Sequence, residues 1–463
     1  MKNRTIPVRF NPADNTVPLT MRFTAVTTFF NARIFPILLV NFIGILGYSI
    51  VIPILIYIVQ DFGGNGFIYG ILGAMYPFFQ FIGAPILGKL SDRLGRKRVL
   101  ILSQAGTFLA WILFLVAFLL PRTELWQQTT EVTGSYVMTL PLIFIFIARI
   151  CDGFTGGNIS VANAYMSDIS TDEDRSANFG KMGASTSLGF VLGPAVAGIL
   201  ASTFMGEVLP LALAAVISLV AIFVINNKLE ESNPCVVDTR GISLKNIRRF
   251  FQAEHKDCYT EGALESEPET AASWRSILKI EGIPLLYAIY FLTFFGFSLF
   301  YAGLPIYAST LLDWTAIELG IFLAYSSLIM VIVQGPVLSR LSKKYRSGSL
   351  VLAGSILLGT SFLILTMEGA VLLYLANTLL SIGNGIMWPS FLSLLSSTGT
   401  KKTQGTIQGY GTSMGSIASM LGLIAGGMLF ETMTTYVFMI GALMFFTITA
   451  LIIIHRYRHR RHA

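Results

Sequence analysis

Residues 88–98 read GKLSDRLGRKR, and residues 335–346 read GPVLSRLSKKYR. With Gly88 registered on Gly335, Leu94 falls on Leu341, Arg93 on Arg340, Arg96 on Lys343 and Lys97 on Lys344. Each segment is a basic stretch after the second of a series of long apolar runs, so the chain repeats itself by halves. Outward from the first copy, the runs are Ile34–Val59, Gly66–Leu87, Val99–Leu120, Leu140–Met166, Phe179–Phe204 and Val208–Ile225. Around the second they are Pro284–Ala308, Ala316–Leu338, Leu350–Met367, Val371–Leu395, Ile407–Phe430 and Tyr436–Ile454. A helical run of about 20 apolar residues matches the roughly 30 Å hydrocarbon core of a bilayer. Membrane-spanning strands would be about 10 residues long and alternate in polarity, and these runs do neither. The expected fold is therefore an all-α membrane protein with twelve transmembrane helices. They fall into two pseudo-symmetric six-helix bundles, residues 34–227 and 284–454.

Composition agrees with a chain immersed in lipid. Of 463 residues, 54% are hydrophobic and only 12% charged, about half the charged share of a soluble protein; the mean hydropathy is +0.68. A net charge of +7 would suit nucleic acid, but the basic residues cluster in alternate loops, the pattern that sets membrane orientation. No nucleic-acid partner is expected. Lys89, Arg93, Arg96, Lys97 and Arg98 follow the second run, and Arg340, Lys343, Lys344 and Arg346 follow the eighth. The opposite loops carry Asp61, Glu207, Asp313, Glu368 and Glu431, with Arg122 as their only base. Both termini are thus expected in the cytoplasm, with the chain in the cell (inner) membrane. Residues 1–33 read as a polar tail without the apolar core of a signal peptide, and residues 455–463 as a basic tail. Residues 228–283 form a hydrophilic loop between the bundles, with an amphipathic stretch at 243–254, SLKNIRRFFQAE. Cys151, Cys235 and Cys258 make no even disulfide framework and read as free thiols.

The fourth run, ARICDGFTGGNISVANAYMSDIS from Ala148, carries charge where it is costly. At 1.5 Å per residue, Arg149 and Asp152 lie about 13 and 18 Å inward from Leu140. A mid-bilayer charge costs about 2.5–3.5 kcal/mol even on the lenient insertion scale, so each should face a cavity and have a partner. Three residues apart, the two share a helix face and can pair. One reading is a self-neutralised structural pair. The other is that Asp152 binds protons or a cationic substrate while Arg149 tunes it. In the fifth run, Gly189 and Gly193 stack at a spacing that permits close helix contact, and Pro194 bends the helix.

GKLSDRLGRKR resembles the signature G-x-L-x-D-R-x-G-R-[KR] between spans two and three of the major facilitator superfamily, complete at Gly88, Asp92, Arg93, Gly95, Arg96 and Lys97. The resemblance implies a cytoplasmic latch, with Asp92 at the positive N-terminal end of the eleventh helix near Gly405 and Arg96 paired with Asp168. The second copy has Ser339 and Ser342 where Asp92 and Gly95 stand, so any latch there is weaker. GFVLGPAVAG, with Gly189, Gly193, Pro194 and Gly198, resembles the antiporter motif of that superfamily, which implies export by exchange. RICDGFTGGN, AYMSD, GNGIMWPSFLSLLS and GTIQGYGTSMGSIAS look like the drug:proton antiporter group that includes the tetracycline-resistance proteins. Two acids of that group are absent: Gly44 stands where the first span often has one, and Ala110 where tetracycline exporters have one in the third. The resemblance therefore does not imply tetracycline as cargo, and proton coupling rests on Asp152.

In the superfamily's plan, spans one, four, seven and ten line a central cavity. This implies Asn41 and Tyr48, then Arg149, Asp152 and Asn158, then Phe297 and Tyr301, then Asn384 and Trp388 as cavity residues. Aromatic rings among a few polar groups suit a bulky amphipathic ligand, although rings at helical spacing also serve packing. The expected activity is proton-coupled export of a small amphipathic compound by alternating access. The proton gradient is its energy source and no cofactor or metal is required. Its expected partners are the bilayer, a small-molecule substrate and protons, and the chain is expected to act as a monomer. The alternatives are a transporter of the same fold for a metabolite, peptide or siderophore, in either direction, and a non-transporting sensor. An enzyme is not expected: His255, His455, His459 and His462 show no zinc-ligand spacing on a span. No phosphate-binding glycine loop followed by Lys and Ser or Thr is present to bind ATP.

Overall fold

The computed structural model describes residues 34–156, 158–171, 174–232, 274–367, 369–398 and 404–461. The amphipathic stretch at 243–254, Cys235, Cys258 and residues 1–33 lie outside them. Among the described residues, eleven stretches are long and apolar enough to cross a membrane. The last, Ile407–His455, is cut by a 3-10 turn at Thr434–Tyr436 into Gln404–Met433 and Val437–Arg461. The spans therefore number twelve. In order, the first six are Phe35–Asp61, Gly66–Leu94, Arg96–Ala117, the pair Leu140–Thr155 and Asn158–Ile169, Arg175–Ala201 and Val208–Lys228. The seventh is Ile283–Thr310 and the eighth begins as Ala316–Ile332; Ser347–Ile364 and Ala370–Ser397 are the ninth and tenth.

Local chemistry sets the helix starts. Proline occupies the first turn of the first, fourth and seventh spans, where its missing N–H costs nothing. Asn65 caps the second span by accepting from Ile68 N at 3.2 Å, and Thr315 with Glu318 forms a capping box on the eighth. The helix ends differ from the apolar runs. The second span continues to Leu94, so Lys89, Asp92 and Arg93 stand on its last turns rather than in a loop. The eighth passes through a π-turn at Val333–Val337, where Pro336 has no N–H to donate, and resumes as Leu338–Lys344. Between the third and fourth spans, a stretch read as loop is an antiparallel hairpin, β1 Glu124–Thr130 and β2 Gly134–Thr139. It docks on the turn between the first two spans: Val137 N donates to Gly63 O at 2.8 Å, and Thr139 Oγ1 to Phe62 O at 2.8 Å.

The halves pack alike. The first span lies against the fifth and sixth as the seventh lies against the eleventh and twelfth. The third lies against the fourth and sixth as the ninth lies against the tenth and twelfth. A polar pair ties each third-type helix to the last of its bundle: Trp111 Nε1 donates to Ser218 Oγ at 3.1 Å, and Ser355 Oγ meets Thr449 Oγ1 at 2.9 Å. Leu109, Phe223, Ile321 and Leu443 point outward and exposed, a surface suited to lipid rather than water.

Two crossings join the bundles, second span on eleventh and fifth on eighth. Both are tight at the hairpin end. A β-carbon on Gly70 would stand 3.1 Å from Gly427 Cα, and one on Gly198 would stand 3.1 Å from Gly320 Cα. Tyr57 Oη donates to Trp314 O at 2.7 Å and Gln60 Nε2 to Ser309 Oγ at 3.0 Å across the same end. Toward the basic-loop end the crossing helices separate. β-Carbons on Gly180, Gly183, Gly335 or Gly409 would meet nothing within 4 Å among the described residues.

Candidate functional site

The fourth span places the ion pair. Gly153 and Gly156 let it press on the second span at Tyr76: a β-carbon on Gly153 would come within 2.7 Å of Tyr76 O, and one on Gly156 within 2.6 Å of Tyr76 Oη. No larger residue fits at either position without a shift. On that helix Arg149 Nη1 lies 3.7 Å from Asp152 Oδ2, with the side chains 5% and 4% exposed. The distance makes an ion pair but not a hydrogen bond. Arg149 Nε and Nη1 and Asp152 Oδ2 have no hydrogen-bond partner among the described residues. The guanidinium lies 5.7 Å from the centre of the Tyr76 ring, a cation–π contact, and Tyr48 packs on Tyr76 with ring centres 4.5 Å apart.

Asp152 lines a small cleft of about 40 Å³, partly open to solvent, between the first four spans, shared with Asn41, Tyr48, Tyr76, Gln104, Thr107 and Asn158. Gln104 is 1% exposed and its Nε2 has no partner among the described residues. Its one sequence signal was an amide in the apolar third run. A second cleft, also of about 40 Å³, lies between the bundles, lined by Phe190 and Pro194, Phe300 and Tyr301, Ser326 and Ser327, and Ser381 and Asn384. Ser381 Oγ also has no partner among the described residues. The Tyr48 and Phe190 rings, 6.2 Å apart, link the two clefts. The first cleft thus holds the carboxylate of the ion pair and the Gln104 amide, and the second holds rings, hydroxyls and an amide without charge.

Three sequence candidates are engaged in packing, one of them at the cleft edge. The Asn41 amide donates to Met182 O, Ser185 Oγ and Thr186 Oγ1 at 3.2, 2.7 and 2.9 Å, so this side chain at the cleft edge ties the first span to the fifth. Phe297 packs on Phe445 of the twelfth span, ring centres 5.3 Å apart. Trp388 belongs to a cluster with Tyr290, Phe294 and Phe391. Neither Phe297 nor Trp388 lines either cleft; each fills the aromatic packing of its own bundle. Tyr48, Asn158, Tyr301 and Asn384 do line a cleft.

At the basic-loop end, Arg96 is clamped from two sides. It pairs with Asp92, donates through Nε to Asp168 Oδ2 at 3.1 Å and through Nη1 to Ser91 Oγ at 2.6 Å. Gly95, at φ +98°, makes the turn into the third span. The sequence reading missed Glu231: its carboxylate accepts from Arg96 N at 2.7 Å and Lys97 N at 3.1 Å, satisfying donors at the start of that helix. Lys97 Nζ donates to Asn226 O at 2.7 Å. The eleventh helix begins at Gln404, next to Gly405 where Asp92 is expected to approach, and the residues just before it, 399–403, lie outside those described. In the fifth span, Gly189 faces Ile45 and Leu46, Gly193 faces Ser49 and Ile50, and Gly198 faces the eighth span.

Two symmetry-related bundles of apolar helices, with the carboxylate of a buried ion pair lining a cleft, are the build of a polytopic membrane transporter. The chain belongs to the Major Facilitator Superfamily, whose family model matches residues 37–423 and again 286–463. Its fold and relatives are those of transporters, not enzymes. It is 24% identical over 438 residues to the tetracycline resistance protein, class H, of Pasteurella multocida, spanning 93% of this chain and 97% of the relative. It is 25% identical to multidrug resistance protein 2 of Bacillus subtilis (strain 168), spanning 88% and 91%. Among solved structures, the human organic anion transporter MFSD10 (TETRAN) superposes with a TM-score of 0.62 at 18% identity, covering 91% of this chain and 99% of that one. A peptide transporter, POT, superposes with a TM-score of 0.65 at 16% identity, covering 92% and 94%. At these identities the structural likeness speaks for the fold alone.

Proposed function

We propose that the chain is a proton-coupled exporter of a small amphipathic compound, working by alternating access between a bundle of residues 34–227 and one of residues 284–454. The observation that carries this reading is the Asp152 carboxylate, 3% exposed as a residue, with one oxygen lacking a partner among the described residues, in a cleft partly open to solvent. Such a group can exchange a proton or a cationic ligand group while Arg149 keeps its charge tolerable. Relatives named for tetracycline and multidrug resistance support export, as does the antiporter motif at Gly189–Gly198. The missing acids at Gly44 and Ala110 argue against a metal-chelated cargo. With the basic loops and both termini in the cytoplasm of an inner-membrane protein, the cleft opens inward and the hairpin lies outside. The latch of Asp92, Arg93, Arg96, Lys97 and Asp168 then belongs to the cytoplasmic gate. The chain acts as a monomer and draws its energy from protons.

The test is flux in proteoliposomes under an imposed proton gradient, with ethidium, rhodamine 6G and tetracycline as probes. Wild type is expected to move a lipophilic cation against the gradient of protons. Asp152→Asn is expected to lose at least tenfold of that flux while still binding the probe. Flux that survives in Asp152→Asn would overturn the assignment of coupling to this residue.

A further inference from the structure

The start of the second span has two donors answered from different bundles. Ile68 N is accepted by Asn65 of its own bundle. Gly66 N is accepted by Glu431 Oε1 at 2.7 Å, from the last turn of the eleventh span in the other bundle. The carboxylate also lies against the hairpin: a β-carbon on Gly134 would stand 2.9 Å from Glu431 Oε2 and 3.0 Å from Asn65 Nδ2. Asn65 Nδ2 in turn donates to Thr133 O at 2.6 Å. Gly134 is at φ +68°, so the hairpin turn presents bare backbone to the carboxylate. Directly below, Gly70 and Gly427 bring the two helices together.

From this geometry we infer that Glu431 is a positioning residue for transport, the clasp that holds the hairpin-end gate shut. A helix N-terminus presents unpaired N–H groups and a positive dipole end, both of which attract a carboxylate. Asn65 caps that helix whichever way the bundles stand, because it travels with it. Glu431 does so only while the second and eleventh spans touch. Its charge-assisted bond therefore stabilises the closed gate and contributes nothing once the bundles part. The hairpin extends the clasp by fixing Asn65 and walling the carboxylate on its far side. Glu207, another acid at that end, has no such role: it stands at the start of the sixth span with no side-chain cap bond.

The inference uses the orientation proposed above only to choose the side from which a reagent is added. The reporter is Ile306→Cys in full-length protein with Cys151, Cys235 and Cys258 replaced by serine. Ile306 is 2% exposed and its side chain would touch a β-carbon at Gly66. Right-side-out vesicles are treated with a membrane-impermeant maleimide. Glu431→Leu is expected to raise the labelling rate about three- to tenfold, Glu431→Gln less, and Glu207→Leu not at all. Gly134→Ala, whose methyl displaces the carboxylate, is expected to act like Glu431→Leu and serves if that variant folds poorly. Wild-type labelling in both Glu431→Leu and Gly134→Ala, with or without a lowered Tm, would overturn the clasp. Faster labelling only from the opposite face would keep the clasp and reverse the proposed orientation.

Discussion

Arg149 and Asp152 form a pair 3.7 Å apart in a side-chain environment nearly closed to solvent. Removing one member of such a pair leaves a buried charge alone, at a cost of about 3–5 kcal/mol, whereas replacing both with apolar groups is often neutral. Arg149→Met is therefore expected to lower Tm clearly in a detergent melt, and Arg149→Met with Asp152→Leu to recover most of the loss. A loss in the double variant equal to the summed losses of Arg149→Met and Asp152→Leu alone would mean that the charges do not act on one another. This pair was legible in sequence because i and i+3 on one helix are neighbours in any fold. Gln104 was not: whether an amide in an apolar run faces a neighbour, lipid or a cleft depends on how the third span is rotated.

Helices meet where side chains are smallest, and the fifth span divides its glycines between two partners. A β-carbon on Gly193 would strike Ser49 and lie 3.1 Å from Ile50 N, within its own bundle, while Gly198 serves the crossing to the eighth span. Gly193→Ala is expected to cost about 1–3 kcal/mol, seen as a lower Tm. Gly198→Ala should instead favour the parted gate, seen as faster labelling of Ile306→Cys with a smaller fall in Tm. The motif itself was readable from GFVLGPAVAG, but not which glycine faces which helix. The helix starts were readable as well, since Asn65, Pro284 and the Thr315–Glu318 box act on the backbone beside them. The hairpin at Glu124–Thr139 escaped because its docking partners, Phe62 and Gly63, lie two spans earlier.

Across the whole molecule, the shut end and the open end follow from one tilt of the two bundles. The contacts Gln60–Ser309 and Tyr57–Trp314 exist only at the hairpin end. Gln60→Cys with Ser309→Cys, in the same cysteine-replaced background, is expected to cross-link with a short bifunctional thiol reagent. The cross-link should stop gradient-driven flux, and a reductant that cleaves the linker should restore it. Unchanged flux in fully cross-linked protein would show that this end need not open.

Apolar runs and charge placement were enough for the bilayer as solvent, twelve helical spans, the repeat by halves and the end that carries the basic loops. They also located the charged pair in the fourth span. All of these follow from apolar run length, charge placement or neighbours within one turn, which are properties local to the chain. Which end is closed and which polar groups reach a cleft emerged from the packing of the folded chain. The folded chain also set Phe297 and Trp388 to packing, and joined Glu431 to a backbone amide 365 residues away. Those outcomes depend on the rotation and tilt of packed helices, and apolar patterning in lipid leaves both angles open until small residues and polar pairs fix them.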